Sequence, residues 1–284
     1  MTVDWIALDW AADRQRVWAM QGGDVVSESA HEGVLNVTPQ NLISLISDWL
    51  SDKPLPIIAC GLLGPVSGTA PCAPLAEGAW SMDLGDPRIQ LHVIPGLKQK
   101  SPVDMMQGDE TRVAGFLALN KDWDGVLCLV GSETRWVHVS AGEVVSFQTF
   151  MTGAVLAALA AQTGLQQWLN SPDLETAAFN AALSDAMAKP ERILARLYSI
   201  HAEGVLDGLS QGQARGRILG GLIGAELAAA RPFWLGQQLA VIGQGAMAQA
   251  YVDALAAQGA PATLADEPRI TRQGLQVAWR ALST

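Results

Sequence analysis

Cysteine is scarce, with three residues in a chain of 284. Cys60, Cys72 and Cys128 are odd in number and widely spaced, which fits neither a disulfide framework nor a zinc pattern. The expectation is buried, apolar thiols in a reducing compartment. Lysine is also rare, so most positive charge is arginine, and the formal net charge is −10. Phosphate-backbone binding needs clustered Lys and Arg. No such block occurs, so no nucleic-acid partner is expected. Long apolar runs are missing too. The longest, near 218–230 and 151–161, fall short of the roughly 18 to 20 residues that a membrane span requires, and the first contains Glu226. No membrane association is expected. The opening MTVDWIALDW has two acids and no basic segment, so it does not read as a signal peptide, and the expected location is cytoplasmic. No G-x-S-x-G or G-x-x-x-x-G-K-[ST] occurs, and His31, His92, His138 and His201 form no metal-ligand spacing.

What is present is a globular composition, 49% hydrophobic and 16% charged, in a chain long enough for two domains. A local pattern occurs twice. VDWIALDW, the turn AADR, QRVWAM, the turn QGGD and VVSESA read as a three-strand meander. GVLCLV, GSET, RWVHV, SAGE and VVSFQTF repeat it roughly 120 residues on. Two such copies suggest two similar lobes with a cleft that can clamp a nucleotide. After the first meander, apolar residues at 42, 43, 45, 46, 49 and 50 predict a helix. Leu55–Cys60 reads as a buried strand entering the loop GLLGPVSG. Residues 64–102 read as loops and short strands, and Val103–Asn120 as helical. The domain boundary is placed after Arg112, giving lobes 1–112 and 113–284. Helices are expected to dominate 155–230, one of them capped by Ser171 with Pro172 in its first turn. A strand at 238–242, a helix at 247–258 and a final strand–helix pair close the chain.

Several positions are candidates for chemistry, each with a plain structural reading beside it. Asp9 ends the first strand, where a carboxylate can hold Mg²⁺ or simply cap its turn. The turn Ala11–Arg14 has no glycine and no hydroxyl, and reads more as an ordinary hairpin than as a phosphate loop, with Arg14 offsetting Asp13. Gly131-Ser132-Glu133-Thr134-Arg135 is the better phosphate candidate of the two turns, or else a solvated hairpin. Gly243-Gln244-Gly245 places backbone donors at a helix start, either for a nucleotide or as a plain strand-to-helix turn. In Gly108-Asp109-Glu110-Thr111-Arg112, the paired acids suit a helix dipole or a general base for a sugar hydroxyl, with Arg112 near an acidic substrate. Trp136 is a candidate cleft-bordering residue.

These pieces, in this order, resemble the 2-dehydro-3-deoxygalactonokinases, members of the actin-like and sugar-kinase superfamily. The resemblance rests on LDWAADRQRVWAM, IPGL before Gln107-Gly108-Asp109-Glu110-Thr111, VGSETRWV, Met151-Thr152-Gly153 and GLIGAE at 221–226, and runs nearly end to end. It implies an α/β fold of two ribonuclease-H-like (actin-like ATPase) lobes with a nucleotide cleft between them. The first would be the sugar-acid side and the second the nucleotide side. It implies ATP and Mg²⁺ as cofactors, and γ-phosphoryl transfer to the 6-hydroxyl of 2-dehydro-3-deoxy-D-galactonate. On that reading Asp9 organises the metal, and Gly131, Ser132, Arg14 and Arg135 serve the phosphates. Gly243 and Gly245 border the adenosine, while Gly64, Gly108 and Arg112 meet the sugar acid. Asp109 or Glu110 handles the hydroxyl. The partners are the small-molecule sugar acid and ATP, with a homodimer left open. This chain departs from the family pattern at both phosphate turns, where Asp13 and Glu133 add negative charge. The alternative is a divergent member that binds a sugar acid or nucleotide without transfer. A nicotinamide enzyme built on Gly243–Gly245 is disfavoured, because too little chain follows for a dinucleotide domain.

Overall fold

The computed structural model describes residues 2–33, 38–162, 164–170 and 172–282. They form two compact units: 1–124 with 139–146 and 266–284, and 125–138 with 147–265. The expected boundary after Arg112 falls inside a helix that the first unit holds whole.

In the first unit, β1 (Trp5–Trp10), β2 (Arg14–Gln21) and β3 (Asp24–Glu32) form the expected antiparallel meander. Next come α1 (Pro39–Ile46) and β4 (Leu55–Gly61), which pairs parallel with β1. The segment read as loops and short strands carries β5 (Val66–Thr69), β6 (Trp80–Met82), β7 (Ile89–Val93) and β8 (Gly96–Lys100). The helix expected over 103–120 is shorter. Val103–Met106 is strand β9, paired with β8, and α2 spans Asp109–Leu119. The main sheet runs β3-β2-β1-β4-β7-β6.

Helix α1 starts at Pro39, ahead of the first apolar position of its pattern, because Thr38 caps it (Oγ1 accepts from Asn41 N–H at 3.2 Å) and Pro39 fits the first turn. Side chains alternate across a strand, and β1 is buried throughout. Ile6, Leu8 and Trp10 pack with Leu42 and Ile46 of α1 on one face. Trp5 and Ala7 pack on the other face with Leu275 and Ala278. Those last two belong to α10 (Glu267–Leu282), the C-terminal helix, which returns to the first unit. Trp279 stacks on Trp5 with ring centroids 5.1 Å apart. Asp9 shares the parity of Trp5 and Ala7, so it faces the α10 side.

A second sheet repeats the scheme with β10 (Gly125–Val130), β11 (Thr134–Ser140) and β12 (Glu143–Phe150); the hairpin residues 139–146 that join β11 to β12 count with the first unit and the rest with the second. The second unit then adds α3 (Thr152–Gln162), α4 (Gln166–Leu169), α5 (Thr176–Ala188), α6 (Ile193–Leu206), α7 (Gln211–Ala229) and α8 (Arg231–Trp234). Strand β13 (Leu239–Gly243), α9 (Gly245–Ala257) and β14 (Ala262–Asp266) complete it, in the sheet order β12-β11-β10-β13-β14. Ser171 lies outside the described residues. Pro172 is not helical, and α5 begins only at Thr176 after Glu175. Helix α7 opens on a full capping box, from Ser210 and Gln213. No helix among the described residues is long and apolar enough to cross a membrane.

Close helix contact depends on two glycines. A Cβ on Gly274 of α10 would lie 1.9 Å from the Thr111 carbonyl oxygen, and one on Gly115 of α2 would lie 2.0 Å from that of Ile270. Gly274→Ala should therefore lower unfolding free energy by about 2–3 kcal/mol through overpacking. Gly23→Ala, where no atom lies within 4 Å, should stay within about 0.5 kcal/mol. Urea unfolding of both variants checks the contrast.

Candidate active site

In open α/β sheets, ligands bind beyond the carboxyl ends of the parallel strands. In the first unit, the paired ends are those of β1 and β4. Gly61 follows there with φ +93°, and a Cβ on it would strike the Trp10 carbonyl oxygen at 2.1 Å. Gly108, with φ +100°, packs against it, since its own Cβ would lie 3.1 Å from Gly61 Cα. These two glycines let the start of α2 come up to the strand ends. Gly64 sits beside them. Its carbonyl accepts from Gln107 Nε2 at 2.8 Å, and a Cβ on it would lie 2.4 Å from the Ile94 carbonyl oxygen.

Arg112 then meets three carboxylates. Its Nη2 donates to Asp9 Oδ2 at 3.3 Å, its Nη1 to Asp109 Oδ1 at 2.5 Å and its Nε to Glu267 Oε1 at 3.0 Å. Nε also reaches Thr271 Oγ1 at 3.3 Å. Burial pulls the Arg112 pKa down, but the Asp9 and Glu267 carboxylates outweigh it, and the net shift is upward. Asp9 is 1% exposed, and its Oδ1 accepts from the Cys60 thiol at 3.6 Å. Cys60 is opposite Asp9 on β4, which is why they share a face. Burial and the nearby Asp9 charge raise the Cys60 pKa, so the thiol stays protonated.

Glu267 gathers the other cations. Arg16 Nη1 donates to its Oε2 at 2.5 Å and Arg14 Nη2 at 2.9 Å. Arg14 and Arg16 lie on the same face of β2, two residues apart. Burial pushes the Glu267 carboxyl up, but Arg112, Arg14 and Arg16 override it and hold the pKa at about 2. Glu110 is the opposite case. Fully buried, it accepts the Gly108 N–H with both oxygens, at 2.9 and 2.8 Å, and the Thr111 hydroxyl at 3.2 Å. Burial dominates over these hydrogen bonds and raises its pKa to about 7.

The second unit places its candidates at the matching strand ends. β10 and β13 are parallel neighbours, so the turn after Val130 and the Gly243–Gly245 segment lie side by side. A Cβ on Gly243 would sit 3.1 Å from Val130 Cβ. Gly245 has φ +66° and opens α9, whose N-terminus carries no side-chain cap. The turn itself is exposed, and Ser132 Oγ donates to Glu133 Oε2 at 3.1 Å. Arg135, at the start of β11, is largely buried, and its Nε donates to Thr149 Oγ1 at 2.9 Å. Trp136, expected to border a cleft, is fully buried instead. Its indole donates to Glu226 Oε1 at 2.8 Å.

The structure thus brings Asp9, Gly108, Asp109, Glu110 and Arg112 together in one unit, and Gly131, Ser132, Gly243 and Gly245 together in the other. Sequence reading missed Glu267, Thr271 and the role of Glu226. The signal for Glu267 was an acid beside Pro268 at a strand-to-helix junction, which does not reveal three arginine partners. Of the three cysteines, Cys60 and Cys128 are buried, whereas Cys72 is half-buried, and all three are free.

A family model for 2-keto-3-deoxy-galactonokinase matches residues 9–278. The chain belongs to that family. A proposed 2-dehydro-3-deoxygalactonokinase of Rhizobium meliloti is 29% identical over 97% of this chain and 96% of its own. The 2-dehydro-3-deoxygalactonokinase of Escherichia coli is 27% identical over 93% of each chain. A solved structure of a proposed family member from Sinorhizobium meliloti superposes with a TM-score of 0.87. It has 27% identity and covers 98% of this chain and 99% of that one. The family's actin-like, sugar-kinase α/β fold is the one built here from two meander-based units.

The Glu267 carboxyl, depressed from 4.5 to about 2, contributes stability that is present above pH 4.5 and lost as pH falls towards 2. That contribution is about 3 kcal/mol. Glu267→Gln should lower stability at pH 7 by at least about that amount, because Arg112 then lacks a buried partner. It should also flatten the acid limb between pH 4.5 and 2. Urea unfolding across that range tests both effects.

Proposed function

We propose that this protein is a sugar-acid kinase that transfers the γ-phosphoryl group of ATP to the 6-hydroxyl of 2-dehydro-3-deoxy-D-galactonate. The observation that carries the reading is the family match over residues 9–278, supported by full-length relatives named for that activity. Phosphoryl transfer is mostly positioning and charge neutralisation, and the two strand-end sites suit those tasks. In the first unit, Asp9 is the metal-organising carboxylate. Arg112 fixes Asp9 and Asp109 in register, and Gly64, Gly108 and Arg112 form the sugar-acid side. In the second unit, Gly131 and Ser132 serve phosphate while Gly243 and Gly245 border the adenosine.

The donor set fits Mg²⁺. That ion keeps several waters and takes one or two carboxylates plus substrate phosphates. Among the described residues, no group of three or more His, Cys, Asp or Glu side chains could hold an ion unaided. Asp9 Oδ1, which accepts from the weak Cys60 thiol donor, is the proposed ligand for a nucleotide-bound ion. When bound, the ion would neutralise charge on the phosphates. A cytoplasmic location is part of the proposal, supported by the free thiols of Cys60, Cys72 and Cys128.

The test is ATP turnover with a panel of 2-keto-3-deoxy sugar acids and Mg²⁺. Asp9→Asn should reduce kcat by about a hundredfold or more. No phosphorylated product on any acid would overturn the kinase reading. The hydroxyl base is the Asp109–Glu110 pair, and pH separates the two. If Glu110 takes the proton, kcat/KM rises through about pH 7 as Glu110 ionises, and Glu110→Gln removes that step. A step that survives in Glu110→Gln, with activity abolished in Asp109→Asn, assigns the role to Asp109.

A further inference from the structure

Glu226 is 3% exposed, sits on α7 and is used by none of the steps above. Three donors from three elements converge on it. Trp136 Nε1 of β11 donates to Oε1 at 2.8 Å. Tyr251 Oη of α9 donates to Oε2 at 2.6 Å, and Thr152 Oγ1 of α3 donates to the same oxygen. Tyr251 Oη also meets Thr134 Oγ1 at 3.0 Å. Since the phenol proton goes to the carboxylate, the threonine is the donor in that pair. Burial raises the Glu226 pKa, and the Thr152, Tyr251 and Trp136 hydrogen bonds oppose the rise.

What these donors are attached to gives the arrangement its meaning. Thr134 and Trp136 follow directly on the turn 131–133. Thr152 opens the segment that packs on the same turn. A Cβ on Gly153 would strike the Gly131 carbonyl oxygen at 2.3 Å, and Ala154 N–H donates to the Ser132 carbonyl at 2.7 Å. Tyr251 belongs to the helix that Gly245 opens. One carboxylate therefore holds both flanks of the turn and the body of α9. Its own helix is rigidly seated, because Gly220 and Gly224 bring α7 against the backbone of α5 at Phe179 and Leu183.

We infer that Glu226 is a positioning residue that keeps the turn 131–133 and the opening of α9 in a fixed mutual register for the nucleotide. The inference rests on the kinase reading for the word nucleotide, though not for the register itself. A carboxylate is suited to the task because it only accepts, and here it meets three donors. The Trp136 indole can do nothing but donate.

Hydrogen exchange on the full chain tests the register without turnover, and steady-state kinetics tests its purpose. Glu226→Gln puts an amide N–H₂ among the donors. It should speed exchange in peptides covering both 131–134 and 245–251. It should raise KM for ATP by about tenfold or more, while KM for the sugar acid stays within about twofold. Thr152→Val should loosen the turn and leave α9 protected. Tyr251→Phe should loosen both, and these two variants keep the test alive if Glu226→Gln fails to fold. Exchange that rises throughout the unit, or at neither segment, overturns the inference, as does a parallel rise in both KM values. A wild-type protein without turnover sinks the kinase reading, and the exchange pattern still decides the register.

Discussion

A buried guanidinium cannot stay charged and unpaired, and most of the first unit follows from that constraint on Arg112. Removing such a charge from water is expensive, and only close, well-directed carboxylates compensate for it. Asp9 reaches Arg112 because it falls on the α10 side of β1. Asp109 reaches it from one turn earlier on α2. Glu267 reaches it only because α10 lies flush on α2, an approach that Gly115 and Gly274 permit. Glu267 then draws in Arg14 and Arg16, so β2 is tied to the same charges. Strand parity, helix packing and charge compensation all depend on one another here.

The second unit solves a related problem with different chemistry. Its buried carboxylate, Glu226, is met by neutral donors from Trp136, Thr152 and Tyr251. Neutral donors compensate a charge less than a guanidinium does, and the two carboxylates shift oppositely in consequence. Glu267 is held low and Glu226 is pushed up. In each unit, the hub lies beside the carboxyl ends of two parallel strands, where an open α/β sheet binds its ligands.

Much of this was legible in the amino-acid order because it is local. The meanders, their glycine turns and the buried strand Leu55–Gly61 follow from period-two apolar patterning and turn chemistry. The candidate residues Asp9, Asp109, Arg112 and Gly131 stood out because each lies at a strand end or helix start. What was not legible depends on distant partners. Glu267 is 155 residues from Arg112, and nothing near it announces the arginines. Trp136 reads as a cleft residue by its place after a turn, but strand parity sends it inward to Glu226. Val103–Met106 joins a helix by its neighbours' composition, whereas pairing with β8 makes it a strand.

The return of α10 has a consequence for how the molecule comes into being. Arg14, Arg16 and Arg112 are all synthesised before the carboxylate that joins them. Residues 125–265, which hold the bulk of the second unit, emerge in between. The segment made first is thus completed last. Until residue 267 arrives, the growing chain carries three guanidinium groups without the carboxylate that later unites them, beneath an unfinished apolar face around Trp5 and Ile58. For this unit, the helix that seals the core also completes its charge.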